Sequence, residues 1–257
     1  MRELLALHED GPDRWVAVAG GRGVGAATAW RGADRRLRLL LTCRDPAAYV
    51  PLARVAATLD GPVYASVDGS DVMARSALTA AGFVLEYTDD VYEARFDAVA
   101  RRLSPEAPAG FSFTTADRAD PSRWFTLDNT LRQDVRGSEG WRGDLRQFAE
   151  ENRDSPYFDP SAYVIAVDDA NGEYAGLVRF WNGPRPKPRL GLLGVVRQYR
   201  HAGLGRALLA RGAAAASQWG GDSFTGETYR GATAMCALWK RLGAVVIDSE
   251  QTLVRRG

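Results

Sequence analysis

The chain has 257 residues, of which 46% are hydrophobic and 25% charged, and its formal net charge at pH 7 is +1. This balance is typical of a folded globular protein and excludes a largely disordered chain. Because neither sign of charge dominates, no strong overall field favours nucleic acid or a membrane surface as a partner.

The cysteines and the first residues bear on compartment and metal content. Cys43 and Cys236 are far apart and make no metal-ligand spacing with His8 or His201, so we expect no metal site. The sequence still allows one long-range disulfide between these two cysteines. Charge appears too early for a signal peptide, and no apolar run reaches the roughly 20 residues that cross a bilayer. We therefore expect a soluble, cytoplasmic protein.

The first half of the chain predicts short strands alternating with helices. Its glycine-rich stretch 20–23 indicates a turn between two strands, and residues 98–110, which combine charge, two prolines and a glycine, indicate a linker. Hydrophobic periodicity assigns the rest. Strands are predicted over 15–19, 24–30, 36–42, 62–67 and 83–96, and helices over 47–59 and 71–81.

The second half repeats this pattern at greater length. Pro121 suits the first turn of a helix that runs toward Val135. Further helices are predicted over 141–152, 203–219 and 233–242, and strands over 111–113, 163–167, 174–181, 190–196, 224–229 and 244–254. Both halves end on a helix that stops at glycine, Gly82 or Gly243, before a strand. We interpret this as a weak internal duplication.

The clearest functional signal is the stretch 194–209, Gly-Val-Val-Arg-Gln-Tyr-Arg-His-Ala-Gly-Leu-Gly-Arg-Ala-Leu-Leu. A buried strand runs into a loop with two glycines, and the loop opens a helix. Glycine lets the backbone approach a ligand, successive amide N–H groups can bind an anion, and the helix N-terminus adds about half a positive charge. The pattern predicts a pyrophosphate site, to which the guanidinium of Arg200 or Arg206 can add. Its predicted residues are Val195, Val196, Arg197, Arg200, His201, Ala202, Gly203, Leu204, Gly205 and Arg206.

This stretch resembles the signature of the GNAT superfamily of N-acetyltransferases, V-x-P-x-Y-R-x-x-G-x-G. The positions that match are Val195, Tyr199, Arg200, Gly203 and Gly205, whereas Arg197 stands where proline is usual. The strand–helix–Leu-Gly–strand segment 224–254 also follows the order found in the family. Asp134-Val135-Arg136-Gly137 with Trp141, and Pro156-Tyr157-Phe158-Asp159-Pro160 before a strand, resemble the tandem-GNAT group that includes mycothiol synthase.

The resemblance implies an α/β fold of two tandem GNAT-like domains, each a mixed, mostly antiparallel sheet flanked by helices. We expect a degenerate copy over 1–100 and an active acetyltransferase domain over 108–257. Residues 42–49, where the first copy should carry its cradle, contain no glycine, so we expect that half not to bind coenzyme A in this way.

For the active half, the resemblance implies transfer of acetyl from acetyl-CoA to the primary amine of a small molecule. Trp239 stands where many family members carry a tyrosine acid, so Tyr229 or a water is expected to replace it, unless the thiolate leaves unaided. Glu227 is the candidate base. The candidate acceptor-binding residues are Asp134, Trp141, Arg179 and Trp181. We expect a monomer or homodimer.

Two alternatives stay open at this point. Residues 16–27 also mimic the glycine-rich turn of a short-chain dehydrogenase, with Asp45 about 20 residues later, although no tyrosine is followed by lysine four residues on. A non-catalytic acyl-CoA sensor or scaffold is the other alternative, and the missing tyrosine favours it.

Overall fold

The computed structural model describes residues 5–183 and 186–256. They form two compact units. The first unit consists of the chain up to Asp90 together with the residues from Asp248 on, and the second unit is Val91–Ile247. The assignment of 1–100 to a degenerate domain and 108–257 to an active one stays a prediction. None of the helices in the described ranges combines the length and apolarity that a membrane crossing requires.

The first unit is built on one mixed sheet. Its strands, in spatial order, are β1 (Ala6–Glu9), β2 (Arg14–Ala19), β3 (Arg22–Arg31), β4 (Leu37–Cys43), β5 (Val63–Asp68) and the later part of β12 (Val245–Arg255). Neighbours are antiparallel, except that β4 and β5 are parallel. Helices α1 (Tyr49–Arg54) and α2 (Val72–Ala80) cover one face, and Leu39, Leu52, Leu78, Phe83 and Leu253 lie in the core between them.

Local chemistry explains where these helices begin. The Asp71 carboxylate accepts a hydrogen bond from the Ala74 amide at 2.9 Å, which caps α2. Pro51 falls in the first turn of α1, where its missing N–H costs nothing. The helix predicted over 47–59 is therefore present, as α1 flanked by short 3-10 segments at Pro46–Ala48 and Val55–Thr58.

The glycine-rich stretch 20–23 is a hairpin and not a dinucleotide-binding turn. Gly20 and Gly21 have positive φ angles of 54° and 72°, and β3 follows at once, antiparallel to β2. A dehydrogenase of the short-chain type needs a helix here. That alternative is wrong, because the chain returns as a ten-residue strand.

The second unit also has a mixed sheet, with helices on both faces. Its strands run in the order β11 (Ser223–Tyr229), β10 (Arg189–Val195), β9 (Tyr174–Trp181), β8 (Tyr163–Asp168) and β7 (Phe111–Thr115). Only β10 and β11 are parallel in this set. The later part of β6 (Val84–Arg95), from Val91 on, also belongs to this unit. Its helices are α3 (Phe96–Arg102), α4 (Pro121–Arg132), α5 (Leu145–Glu151), α6 (Leu204–Ala216) and α7 (Thr233–Leu242).

Two hydrophobic clusters cover the two faces of this sheet. Phe180 and Phe224 pack with residues of α6 and α7, such as Leu208. On the other face, Leu177 packs with Trp124 of α4 and other side chains. The central strand β9 is therefore buried along nearly its whole length, as expected of a strand covered on both sides.

The linker predicted over 98–110 is wrong in its first part. Residues 96–102 form α3, in which Phe96 and Val99 are buried, and Leu103 joins the same core. The charges that suggested a linker belong to the exposed side and last turn of this helix, where cations are favourable. Arg102 in addition donates a hydrogen bond to the carbonyl of Leu242. The two prolines, at 105 and 108, come after the helix has ended.

Candidate active site

A cavity of about 1040 Å³ lies in the second unit where β10 and β11 separate. The two strands pair only at their beginnings, Arg189 opposite Thr225 and Leu190 opposite Gly226. Both then continue, to Val195 and Tyr229. The gap gives a ligand access to the facing edge of each strand, where main-chain groups can form hydrogen bonds.

The separation begins at a β-bulge. The register between β9 and β10 shifts between Leu190 and Leu192, which leaves Gly191 as the extra residue. The indole of Trp181 lies against Gly191, and a Cβ there would be 2.1 Å from the indole nitrogen. Only glycine fits, and the bulge bends β10 at the point where its pairing with β11 ends.

Beyond the end of β10, residues 196–205 form the loop and helix start in which the sequence predicts the cradle. His201 and Gly203 have left-handed φ angles of 69° and 86°, and Gly203 precedes α6 with no side-chain cap. Within the described ranges, none of the amide N–H groups of 201–205 has an acceptor. These donors, at the positive end of a thirteen-residue helix, suit an anion such as a diphosphate.

Arg200 ties the end of β10 to this loop. Its Nε donates to the carbonyl of Val195 at 3.0 Å, and its Nη2 pairs with the carboxylate of Asp134. Asp134 also lies 3.8 Å from the guanidinium of Arg197. Asp134 lines the cavity, and its carboxylate pairs there with Arg200 and Arg197, so its predicted part in binding the acceptor stays a prediction. Arg206 is exposed and lines the cavity as well.

The opposite wall comes from the end of α4 and the loop after it. Leu131 packs on Gly194, where a Cβ would lie 3.0 Å from both Leu131 methyl groups. The loop that follows contributes Val135, Arg136 and Glu139 to the cavity lining. Gly194 therefore brings a helix close to the strand that borders the gap.

Glu227 and Tyr229 extend from the same face of β11, since side chains two apart on a strand point the same way. Both line the cavity, and the Glu227 carboxylate lies 3.6 Å from the guanidinium of Arg189. Alternate residues about 6.8 Å apart can act on one bound substrate from neighbouring positions.

Trp239 lies behind β11 and is fully buried. Its indole nitrogen donates to the Thr228 hydroxyl at 2.8 Å, and its ring stacks on Tyr92 with centroids 5.4 Å apart. A side chain held in this way cannot supply a proton to the cavity.

Several predicted residues do not line the cavity. Val196, Arg197 and Ala202 belong to the loop but face elsewhere. Of the four predicted acceptor residues, only Asp134 reaches the cavity. Trp181 covers Gly191 from behind, and the ring of Trp141 lies under the guanidinium of Arg132, 4.6 Å away.

Arg179 is the fourth of these residues and serves the core. It is 4% exposed, and its Nη1 donates to Asp128 at 2.9 Å and to Asn152 at 3.0 Å. Burial lowers the pKa of the guanidinium, and the Asp128 carboxylate opposes that shift. Its Nη1 is paired inside the unit, its buried Nε has no hydrogen-bond partner among the described residues, and the side chain does not line the cavity.

Other lining residues gave no signal in the sequence. The turn after β11 and one face of α7 contribute Gly231, Thr233, Met235, Leu238 and Arg241. Small and apolar residues at helical spacing resemble a core face in sequence, so only the structure shows that this face borders a cavity.

Both cysteines are free thiols, so the long-range disulfide is not formed.

Separated parallel strands, a glycine loop and a helix N-terminus are together typical of the GNAT class of acetyltransferase domains. Residues 124–244 match the sequence model of the acetyltransferase (GNAT) family, and this segment, which contains all the described residues that line the cavity, belongs to that family. The resemblance in the sequence to a GNAT protein is therefore confirmed.

Solved structures show the same fold over almost the whole chain. A GCN5-related N-acetyltransferase from Sphaerobacter thermophilus has a TM-score of 0.72 at 17% identity, covering 97% of this chain and 82% of its own. A tandem GNAT protein from the clavulanic acid biosynthesis pathway has 0.69 at 20%, covering 98% and 83%. A GCN5-related N-acetyltransferase from Kribbella flavida has 0.60 at 16%, covering 98% and 90%.

These likenesses confirm the predicted α/β fold class. No curated protein matches the chain. The narrower resemblance to mycothiol synthase is not confirmed by any of the comparisons.

Proposed function

We propose that the second unit transfers acetyl from acetyl-CoA to the primary amine of a small molecule by direct attack. The observation that carries this proposal is the gap between β10 and β11, which leads to five amide N–H groups without acceptors in the described chain, at the start of α6. An extended thioester with a diphosphate at one end matches this combination of open strand edges and clustered donors.

In the proposed complex the diphosphate lies on residues 201–205, with the Arg206 guanidinium beside it. The pantetheine arm follows β10, whose edge β11 leaves open beyond Leu190. The amide near Val195 donates to the thioester carbonyl oxygen and stabilises the charge that develops there. Arg200 takes a supporting part, because it already binds Asp134 and the Val195 carbonyl.

The chemistry needs a neutral amine and a leaving thiolate. Glu227, directly or through a water, takes the proton from the ammonium group, and the amine then attacks the carbonyl carbon. The new C–N bond forms as the C–S bond breaks, and Tyr229 gives a proton to the departing sulfur. The attacking nitrogen, which still carries one proton too many, passes it to the resulting tyrosinate directly or through a water, which leaves the neutral amide and restores the phenol. The shared face of β11 supports these roles for the two side chains, and the buried Trp239 cannot compete for the second.

We propose that the first copy, predicted over 1–100, is degenerate and that the active domain is the one over 108–257. Strands β4 and β5 also pair in parallel only at Leu37 and Arg38. The segment after β4 contains no glycine, and Tyr49 there donates to the Asp71 carboxylate at 3.2 Å. Between β1 and β2 only residues 10–13 intervene, whereas the matching connection of the second unit carries α4 and α5.

The test is to bring a carboxylate into the cradle without disturbing the fold. Gly205 is the second residue of α6, and a Cβ there would meet only Val195 at 3.7 Å. Gly205→Glu should fold normally, since an acidic residue is favourable in the first turn of a helix. It should weaken acetyl-CoA binding at least about tenfold, because 1.4 kcal/mol of repulsion is enough for that.

The matched control is Ser122→Glu, which places the same charge at the second residue of α4, where Ser122 is exposed. Calorimetric titration with acetyl-CoA and turnover over a panel of primary amines are the two measurements. Equal acetyl-CoA affinity for the wild type and Gly205→Glu would remove the cradle assignment.

The sensor alternative is favoured by one observation, the absence of a phenol at position 239. Tight acetyl-CoA binding without turnover on any amine would support a non-catalytic sensor over an acetyltransferase. The cytoplasmic location and the monomeric or homodimeric state stay predictions.

A further inference from the structure

The turn after β11 brings a glycine against the phenol of Tyr229. A Cβ built on Gly231 would lie 2.4 Å from Cε1 of Tyr229, 2.6 Å from Cζ and 2.8 Å from the hydroxyl oxygen. Real Cβ atoms essentially never approach so closely, so the ring must move if residue 231 has a side chain. Gly231 does not have a positive φ, which means that close approach and not backbone conformation requires glycine here.

The turn itself is held by hydrogen bonds. The amide of Ala232 donates to the Tyr229 carbonyl at 2.8 Å, and the amide of Thr233 donates to the Gly231 carbonyl at 3.0 Å. The thiol of Cys236, in α7, lies 3.7 Å from the same Tyr229 carbonyl. Because both carbonyls are used within the turn, a new methyl group at 231 is accommodated by the ring more readily than by the backbone.

We infer that Gly231 is a positioning residue, which seats the hydroxyl of Tyr229 in the cavity. This inference rests on the proposed function, in which Tyr229 protonates the leaving thiolate. Both residues line the cavity, and the Tyr229 ring lies against Gly231, in the turn that leads into α7. Gly231 touches no reacting atom and acts only through the phenol.

Kinetics of single and double variants test this role. General acid catalysis contributes roughly 10²–10⁴-fold, so Tyr229→Phe should lower kcat by about 100-fold, and Gly231→Ala, which misplaces the hydroxyl, by about tenfold. The KM for acetyl-CoA should change little in either. In the Tyr229→Phe background Gly231→Ala should have no further effect on kcat, because the group that it positions has gone.

The matched control is Gly183→Ala, in the same unit, since Gly183 has no positive φ and a Cβ there meets no atom of the described residues within 4 Å. It should leave kcat and Tm unchanged. A kcat of Gly231→Ala equal to the wild type, while Tyr229→Phe is impaired, would overturn the inference. The inference would also be overturned if the losses of kcat in the two single variants multiplied in the double variant, because the two residues would then act independently.

A measurement independent of activity separates this inference from the proposed function. In protein labelled with 3-fluorotyrosine, the ¹⁹F resonance of Tyr229 is assigned by its loss in Tyr229→Phe. Gly231→Ala should shift that resonance and Gly183→Ala should not. A shifted resonance in an enzyme without activity on any amine would contradict the proposed function alone. An unmoved resonance would overturn the seating by Gly231.

Discussion

At the scale of single residues, Arg179 shows why a charged side chain near a site need not serve it. Its strand, β9, is buried on both faces, and the guanidinium finds Asp128 and Asn152 inside the unit. Asp128 in turn accepts from Arg132 through its other oxygen. A buried charge with partners of this quality serves the structure, and removing it exposes those partners to an apolar surrounding.

Replacing Arg179 by methionine keeps most of the apolar length and removes the cation. We expect Arg179→Met to lower the free energy of unfolding by about 3 kcal/mol, since Asp128 stays buried with one of its two partners missing. Urea denaturation measures the change. Arg146→Met is the control, because the Arg146 side chain is 88% exposed and its pair with Glu150 contributes less than about 1 kcal/mol. Equal losses for the two variants would contradict this account of Arg179.

Cys43 permits a prediction about pH. Burial, with smaller contributions from the carboxylates of Asp71 and Asp45, raises the pKa of its thiol to about 11. Because the thiolate is the reactive form, alkylation of Cys43 by iodoacetamide should keep accelerating with pH beyond 9, the ordinary thiol range. Peptide mass spectrometry after timed alkylation gives the rate.

The same raised pKa has a consequence for stability. The folded state holds the Cys43 proton at a pH where the unfolded chain has lost it, so this contribution is present below about pH 9 and declines as pH rises toward 11. Asp71→Asn removes one source of the shift and should move the rate curve to lower pH. A rate that levels off near pH 9 in the wild type would show that the thiol is not perturbed.

At the scale of elements, hydrophobic period and turn residues predicted nearly every helix and strand. The strands β2 to β12 and the helices around Pro121 and Gly203 follow the predicted order with ends shifted by a few residues. The strand β1 was not predicted, because its four residues are all exposed and it is defined by backbone pairing with β2. Pairing of this kind leaves no side-chain pattern.

The loop and helix start at 196–205 could be predicted because they depend on local sequence, whereas their role as a diphosphate cradle stays a prediction. Glycine at 203, with its positive φ, and glycine at 205 follow the partly buried strand β10 and favour a turn that leaves the nearby amides without acceptors in the described chain. The acceptor side depends instead on tertiary packing. A bulge in β10 decides whether Trp181 faces the cavity or covers Gly191. The sequence of β9 contains no signal that predicts this bulge. Hydrophobic periodicity predicts which side chains share a face of a strand, but it does not predict what that face packs against.

At the scale of the whole molecule, the last strand belongs to the sheet of the first unit. Residues 250–255 pair antiparallel with residues 63–68, and Leu253 and Val254 are buried. Leu253 joins the same cluster as Leu39 and Phe83. The first unit is thus assembled from two pieces of chain that are far apart in sequence.

Shortening the Leu253 side chain should therefore destabilise strands that are distant from it in the sequence. Leu253→Ala should cost about 2–5 kcal/mol, as large-to-small changes in a core do. Hydrogen exchange should accelerate in β3, β4 and β5, all within the first 70 residues. The control is Val246→Ala on the same strand, since Val246 is 52% exposed. Faster exchange confined to residues 91–247 would contradict this membership.

The position of β12 at the end of the sequence affects how the first unit folds during synthesis on the ribosome. Residues 63–68 emerge early, yet the strand that completes their edge is made about 185 codons later. An open edge of this kind attracts other strands, so the nascent first unit needs protection until translation has passed residue 255. Slowing elongation in the second half of the message should lengthen that interval, and with it the time during which the nascent chain is prone to aggregate.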